Sequence, residues 1–83
     1  MMVFFGEDRK IAISNSRIYQ VVQYKTTIEI FYDSGEISFL ENETVVPKID
    51  SVKISFEEEE LAIDNFRAYY KACEMNRGAF YFG

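Results

Sequence analysis

The chain has 83 residues and a formal net charge of −5, with nine Lys and Arg against 14 Asp and Glu. This length accommodates one domain and is too short for two, so a single domain over residues 1–83 is expected. Proteins that follow a phosphate backbone need a basic surface, because counterion release drives that binding. Direct binding of nucleic acid or of anionic membranes is therefore not expected.

The composition favours a folded protein in a reducing compartment. Apolar residues make up 48% of the chain and aromatic residues 17%, and large aromatic side chains bury the most surface each. Cys73 is the single cysteine, so no internal disulfide can form. The apolar runs fall far short of the roughly 20 residues of a membrane-spanning helix. The apolar start lacks the basic region of a signal peptide. These features predict a cytoplasmic protein.

The first half of the chain has the alternating pattern of strands. Residues 3–5 and 10–14 are predicted strands, and Asn15-Ser16 is a turn signal. Residues 17–25 fit either a strand or a helical turn, and their β-branched content favours a strand. The clearest prediction is a hairpin of residues 27–33 and 36–40 around Ser34-Gly35. That register places Ile30 and Tyr32 on one face with Ile37 and Phe39, and Phe31 with Leu40 on the other.

The second half predicts a polar connection, a strand and a helix. Residues 41–50 are expected to be the connection, and residues 51–56 a strand with apolar side chains inward. A helix is predicted from about residue 56 or 57 to Arg77, with Ser55 and Glu58 as a capping box and Gly78 as its left-handed exit. One helix face is expected to cover the sheet, namely Ala62, Ile63, Phe66, Tyr69, Tyr70 and Cys73. Residues 79–82 return as a short strand.

These elements together predict an α+β fold. An antiparallel sheet of five to six strands, in meander order and curved or partly barrel-like, is expected to pack against one C-terminal helix.

The sequence offers no arrangement typical of catalysis, cofactor binding or metal binding. It contains no histidine, and Cys73 lies on the helix face that is expected to be buried among aromatic rings, where a thiol is not activated. Zinc sites need several Cys or His ligands, and phosphate-binding loops need closely spaced glycines. We therefore predict a protein that binds and does not catalyse, with no catalytic, cofactor or metal residues.

Two surfaces are candidates for binding a partner protein. The outer sheet face is expected to expose Tyr19, Phe31 and Leu40, and exposed apolar patches on small proteins often mark interfaces. The far side of the helix carries residues at alternating spacings of four and three, typical of a coiled-coil seam with one polar position. These are Leu61, Asn65, Ala68, Ala72 and Met75. A second copy of the chain is one possible partner for either surface.

A third surface is acidic. Glu57, Glu58, Glu59 and Glu60 begin the predicted helix, and Asp64 follows one turn later. Acidic residues are favoured at a helix start by its dipole, but rows of carboxylates could also imitate DNA. The leading hypothesis is a small protein-interaction module. The alternative is an acidic inhibitor of a nucleic-acid-handling enzyme, such as a phage-encoded anti-defence or anti-CRISPR protein.

Overall fold

The computed structural model describes residues 1–6, 10–39, 41 and 44–83 and has an α+β fold, as predicted. A 3₁₀ turn (Asn15–Arg17) precedes the third strand, so residues 18–24 of the segment left open by the sequence are strand. The elements in chain order are β1 (Met2–Phe5), β2 (Ile11–Ser14), β3 (Ile18–Tyr24), β4 (Thr27–Phe39), β5 (Val45–Ser55), α1 (Glu59–Glu74) and β6 (Ala79–Tyr81).

The strands form two three-stranded sheets, not the predicted single sheet. In one sheet β1 lies between β2 and β6, antiparallel to β2 and parallel to β6. In the other, β4 lies between β3 and β5, and both pairs are antiparallel. The predicted meander order holds in the second sheet, where β3, β4 and β5 are neighbours in chain order, but not in the first, where β1 pairs with the distant β6. The Met2 N–H accordingly donates to the Gly78 carbonyl at 2.9 Å.

The core lies where α1 and the inner faces of both sheets meet. Ile28 and Ile30 of β4 are fully buried beneath the helix, and Val3 and Phe5 supply the other sheet. The buried cluster consists of Val3, Phe5, Ile13, Val21, Ile28, Ile30, Ala62, Tyr69 and Phe82. The predicted inward helix face is thus largely confirmed, although Tyr70 is 51% exposed.

The predicted hairpin at Ser34-Gly35 is wrong, because β4 continues through it. The register with β5 passes from Asp33 opposite Ile49 to Ile37 opposite Pro47, which makes the intervening residues a bulge. Gly35 has a φ of 86°, as a turn would require. Its N–H donates to Oδ1 of Asp33 at 2.9 Å. The turn chemistry is therefore present, but pairing with β5 on both sides of the bulge keeps the strand going.

The predicted connection over residues 41–50 is also partly wrong, since β5 already begins at Val45. β3 pairs with β4 only as far as Tyr32. Beyond that point, residues 33–39 of β4 and 45–49 of β5 form a two-stranded ribbon, here called the arm. Pairing by β3 leaves one part of the sheet three strands wide and the arm two strands wide.

The helix starts later than predicted. Glu58 is its N-cap, without a side-chain capping bond, and Ser55 is the last residue of β5, so the capping-box prediction is wrong. The Phe56 N–H donates to the Thr26 carbonyl at 2.8 Å, which extends the sheet contact past the end of the strand. Over the part of the chain that the structure describes, no helix is long and apolar enough to cross a membrane.

The helix ends in a Schellman motif built on an asparagine. Asn76 has a φ of 51°, and Gly78 does not take the left-handed conformation that the sequence predicted for it. The Asn76 N–H donates to the Cys73 carbonyl at 3.2 Å, and the Arg77 N–H donates to the Ala72 carbonyl at 3.1 Å. These two bonds satisfy carbonyls at the helix end, and Asn tolerates the conformation better than most residues.

Candidate interaction surface

One face of the arm is apolar and exposed to solvent. Phe39 is 69% exposed and Ile37 is 60% exposed, and Val45 and Ile49 of β5 are each about half exposed. We call this surface the arm face, and it consists of Ile37, Phe39, Val45, Pro47 and Ile49. Cross-strand pairs put these side chains together, with Ile37 opposite Pro47 and Phe39 opposite Val45.

The arm face points away from the protein's own core. Along β5, Val52 and Ile54 lie opposite the buried Ile30 and Ile28 and turn towards the core. Ile49 lies an odd number of residues from both, so it projects from the opposite face of the strand. The apolar side chains of β5 therefore lie on the core side in the three-stranded part of the sheet and on the opposite side in the arm.

The five arm-face side chains are uncharged, but charged residues lie close to them, and Asp33, which pairs directly opposite Ile49, shares their face of the ribbon. Lys48 and Glu36 form an exposed ion pair of 3.2 Å between arm strands, a kind of contact that contributes little to stability. The Arg17 guanidinium donates to the Asp33 carbonyl from Nη2 at 2.6 Å and from Nε at 3.1 Å, which fixes the base of the arm. Apolar binding energy is thus available on a ribbon that is anchored at its base.

Of the predicted outer sheet residues, Phe31 lies nearest the arm face. It is half-buried and pairs with Ser51 of β5, on the same side of the sheet as Ile49. Tyr19 is 56% exposed and lies where the pairing of β3 with β4 shifts register, between Ile18 and Gln20. Leu40 lies outside the described residues.

The predicted helix seam is interrupted. Leu61, Ala68 and Met75 are exposed, but Ala72 is only 3% exposed and belongs to the buried side of α1. Asn65 is occupied within the chain: its Nδ2 donates to the Leu61 carbonyl at 2.9 Å, and its Oδ1 accepts the Gly83 N–H at 3.0 Å. A partner helix could therefore reach isolated side chains but not a continuous stripe.

The five residues of the predicted acidic surface are exposed. Glu57 and Glu58 precede the helix, Glu59 and Glu60 lie in its first turn, and Asp64 follows, each of them exposed. Within residues 1–6, 10–39, 41 and 44–83, no group of three or more Asp, Glu, Cys or His is arranged to hold a metal ion.

The polar contact nearest to the core involves Tyr69, Asn15 and Cys73. The Tyr69 hydroxyl donates to Oδ1 of Asn15 at 2.5 Å, and Asn15 Nδ2 lies 3.9 Å from Sγ of Cys73. Burial, with a smaller contribution from a hydrogen bond to Cys73, raises the pKa of Tyr69 well above its usual value. A phenol held protonated in this way is suited to structural hydrogen bonding and not to proton abstraction at neutral pH.

Two clefts lie away from the arm. A cleft of about 210 Å³ adjoins Cys73 and is lined by Met1, Asn15, Ala72, Cys73, Asn76 and Arg77. A larger groove of about 500 Å³ separates the edge of β5 from the first sheet, with Phe5, Ile11, Val52, Ile54, Phe56 and Phe82 among its lining residues. In the cleft beside Cys73, no imidazole or carboxylate is among the lining residues, so the thiol has no neighbouring base there.

The arm face was missed by the sequence prediction because residues 45–50 were assigned to a polar connection. The alternation of Pro47 and Ile49 with Lys48 and Asp50 was the available signal, since it has the period of a strand. No protein-family model, curated protein or solved structure matches the chain.

Proposed function

We propose that the chain is a small non-catalytic module that binds a protein partner through the arm face. The observation that carries this proposal is the change of face between Ile30, which is fully buried, and Ile37, which is 60% exposed on the same strand. A strand that only packs on its own core keeps its apolar residues on the core side. The arm instead directs its apolar side chains to a face that none of the described strands or the helix covers.

The size of the arm face supports the proposal. Ile37, Phe39, Val45 and Ile49 are each more than half exposed. Taking about 200 Å² as the full area of a large side chain, they expose on the order of 450 Å². The largest apolar patch on a typical monomer is about 300–600 Å² and is often functional. A contiguous patch of this size on only 83 residues is best explained as an interface.

The shape of the arm supports it as well. An isolated two-stranded ribbon is marginally stable in water and usually needs a third strand or a packed face. β3 does not extend to the arm, so the second sheet supplies neither a third strand nor a packed face there. A bound partner would supply the packed face.

The test is affinity capture from the source cells with three tagged proteins. These are the unsubstituted chain, Phe39→Glu in the arm face, and Met75→Glu as a matched control, because Met75 is 54% exposed on the helix. The expected result is a protein that is captured by the unsubstituted chain and by Met75→Glu and is lost with Phe39→Glu. Capture that survives Phe39→Glu would contradict the proposal.

An acidic inhibitor is the second candidate, because every carboxylate from Glu57 to Glu60 faces solvent. It would bind a basic nucleic-acid enzyme in a salt-sensitive way, since exposed charges are screened within about 10 Å at 0.1 M salt. Changing Glu57, Glu58 and Glu60 to Lys would then abolish binding and Phe39→Glu would not. The opposite result assigns binding to the arm face.

A further inference from the structure

We infer that the partner of the arm face is a second copy of this chain, packed face to face about a twofold axis. The inference rests on the proposed function and specifies its partner. In such an interface the same patch serves both subunits, so the patch must tolerate its own chemistry.

The net charge of the chain favours a contact at the uncharged residues of the arm face. Each copy carries a net charge of −5, which opposes association of two copies through a charged surface. The arm face is formed by the uncharged side chains of Ile37, Phe39, Val45, Pro47 and Ile49. Asp33 lies on the same side opposite Ile49, and its carboxylate accepts the Gly35 N–H at 2.9 Å. Two copies that meet there place mainly apolar side chains opposite each other. Lys48 alternates with Pro47 and Ile49 along β5, so its side chain projects from the opposite face of the ribbon. Its exposed ion pair with Glu36 would remain hydrated in such a contact.

The surface area that two copies would bury at the arm face also supports a dimer. A specific interface buries at least about 1,000 Å² in total. If two copies face each other, the four most exposed side chains of the arm face contribute roughly 900 Å² to that total. Pro47 and the half-buried Phe31 add to the same surface. The total then passes the threshold for a specific dimer without any contribution from α1 or the first sheet.

The geometry of sheet packing suits a face-to-face contact between two arms. Sheets pack face to face at about 10 Å with their strands within about 30° of each other, and two amphipathic ribbons meet this requirement symmetrically. Pairing along the β5 edge is less suitable, because Pro47 cannot donate a hydrogen bond there and prolines and lysines block edge pairing. Pro47 and Lys48 both lie on this edge strand. Contact through the arm face is thus favoured over pairing along the β5 edge.

The experiment uses purified protein and sedimentation equilibrium from about 1 to 500 μM. The expected species is a dimer of twice the 9.7 kDa chain mass. Ile37→Glu should weaken self-association at least a hundredfold, because it buries an unpaired charge. Met75→Glu should leave association within about threefold. Circular dichroism of each variant shows whether it folds.

A second measurement needs no substitution. Amide hydrogen exchange in residues 37–39 and 45–49 should slow as protein concentration rises, while residues 59–74 of α1 should be unaffected. A chain that stays monomeric throughout the range, or a dimer that is lost with Met75→Glu and kept with Ile37→Glu, would overturn the inference. If the chain is monomeric and Phe39→Glu still abolishes capture from cells, the proposed function stands and the partner is another protein.

Discussion

The hydroxyl of Tyr69 donates a 2.5 Å hydrogen bond to Oδ1 of Asn15, two residues that lie 54 positions apart in the chain. This bond joins the buried side of α1 to the 3₁₀ turn between β2 and β3. The Asn15 N–H in turn donates to the Met1 carbonyl at 2.8 Å. The turn therefore connects the helix to the strands of the first sheet.

Tyr69→Phe is expected to lower the free energy of unfolding by about 1 kcal/mol, because it removes one intramolecular hydrogen bond and leaves the side-chain Oδ1 of Asn15 without its donor. Tyr70→Phe is the matched control, since it makes the same chemical change at a side chain that is 51% exposed. Urea unfolding at pH 7 measures both. Equal effects of the two changes would contradict the assigned role of the Tyr69 hydroxyl.

The stability of the protein is expected to fall above pH 10. The pKa of Tyr69 in the folded state is raised by burial, whereas an unfolded phenol titrates at about 10. The folded state therefore retains a proton that the unfolded state releases, so the stabilisation present below pH 10 is lost as the pH rises towards the folded pKa. Urea unfolding between pH 8 and 11 should show this decline, and Tyr69→Phe should make it less steep. A decline of equal slope in both proteins would show that another group is responsible.

Gly35→Ala is expected to destabilise the protein by about 1–2 kcal/mol, because an L side chain is disfavoured at the Gly35 φ of 86°. A Cβ there would lie 3.9 Å from Nη2 of Arg17, an ordinary contact, so the cost comes from the backbone and not from a clash. Gly78→Ala is the control, since Gly78 has no positive φ and no atom within 4 Å of an added Cβ. It should be neutral or slightly stabilising. Thermal unfolding of the two variants distinguishes these outcomes.

Ile30→Ala and Ile37→Ala compare the two faces of β4. Ile30 is fully buried, and its truncation should cost about 2–5 kcal/mol through lost burial and a residual cavity. Ile37 is 60% exposed, so its truncation should change the stability of the monomer by less than about 0.5 kcal/mol. Urea unfolding at low micromolar concentration is the measurement. A large loss for Ile37→Ala at this concentration would place the arm face inside the monomer's own core.

The sequence predicted the elements that depend on local pattern better than those that depend on pairing. The alternation of Val52 and Ile54 and the spacing of Ala62 and Tyr69 correctly placed a strand and a helix face. Because these signals are periodic along the chain, they can be recognised without knowing which elements pack against each other. The parallel pairing of β6 with β1 has no local signal, because its partners lie more than 70 residues apart.

The same limit explains why the arm was missed. The tetrapeptide from Asp33 to Glu36 has the composition of a hairpin turn, and Gly35 takes the expected positive φ. Whether the chain reverses there depends on β5, which pairs on both sides of the bulge. The positive φ at Gly35 was therefore predicted correctly, but the chain reversal was not, because pairing with β5 decides the direction of the strand. The position of the arm face depends on the pairing of β4 with β5, so the sequence alone did not predict it.

The pairing of β6 with β1 also bears on how the protein is made. A ribosome releases β1 first, but the strand that flanks its second edge emerges only with residues 79–81. Until then the apolar side chains of Val3 and Phe5 belong to a nascent sheet with an open edge, the condition that most favours pairing with another chain. The second edge of β1 therefore stays open while the more than 70 residues between the two strands are synthesised, a period in which binding by a chaperone would limit mispairing.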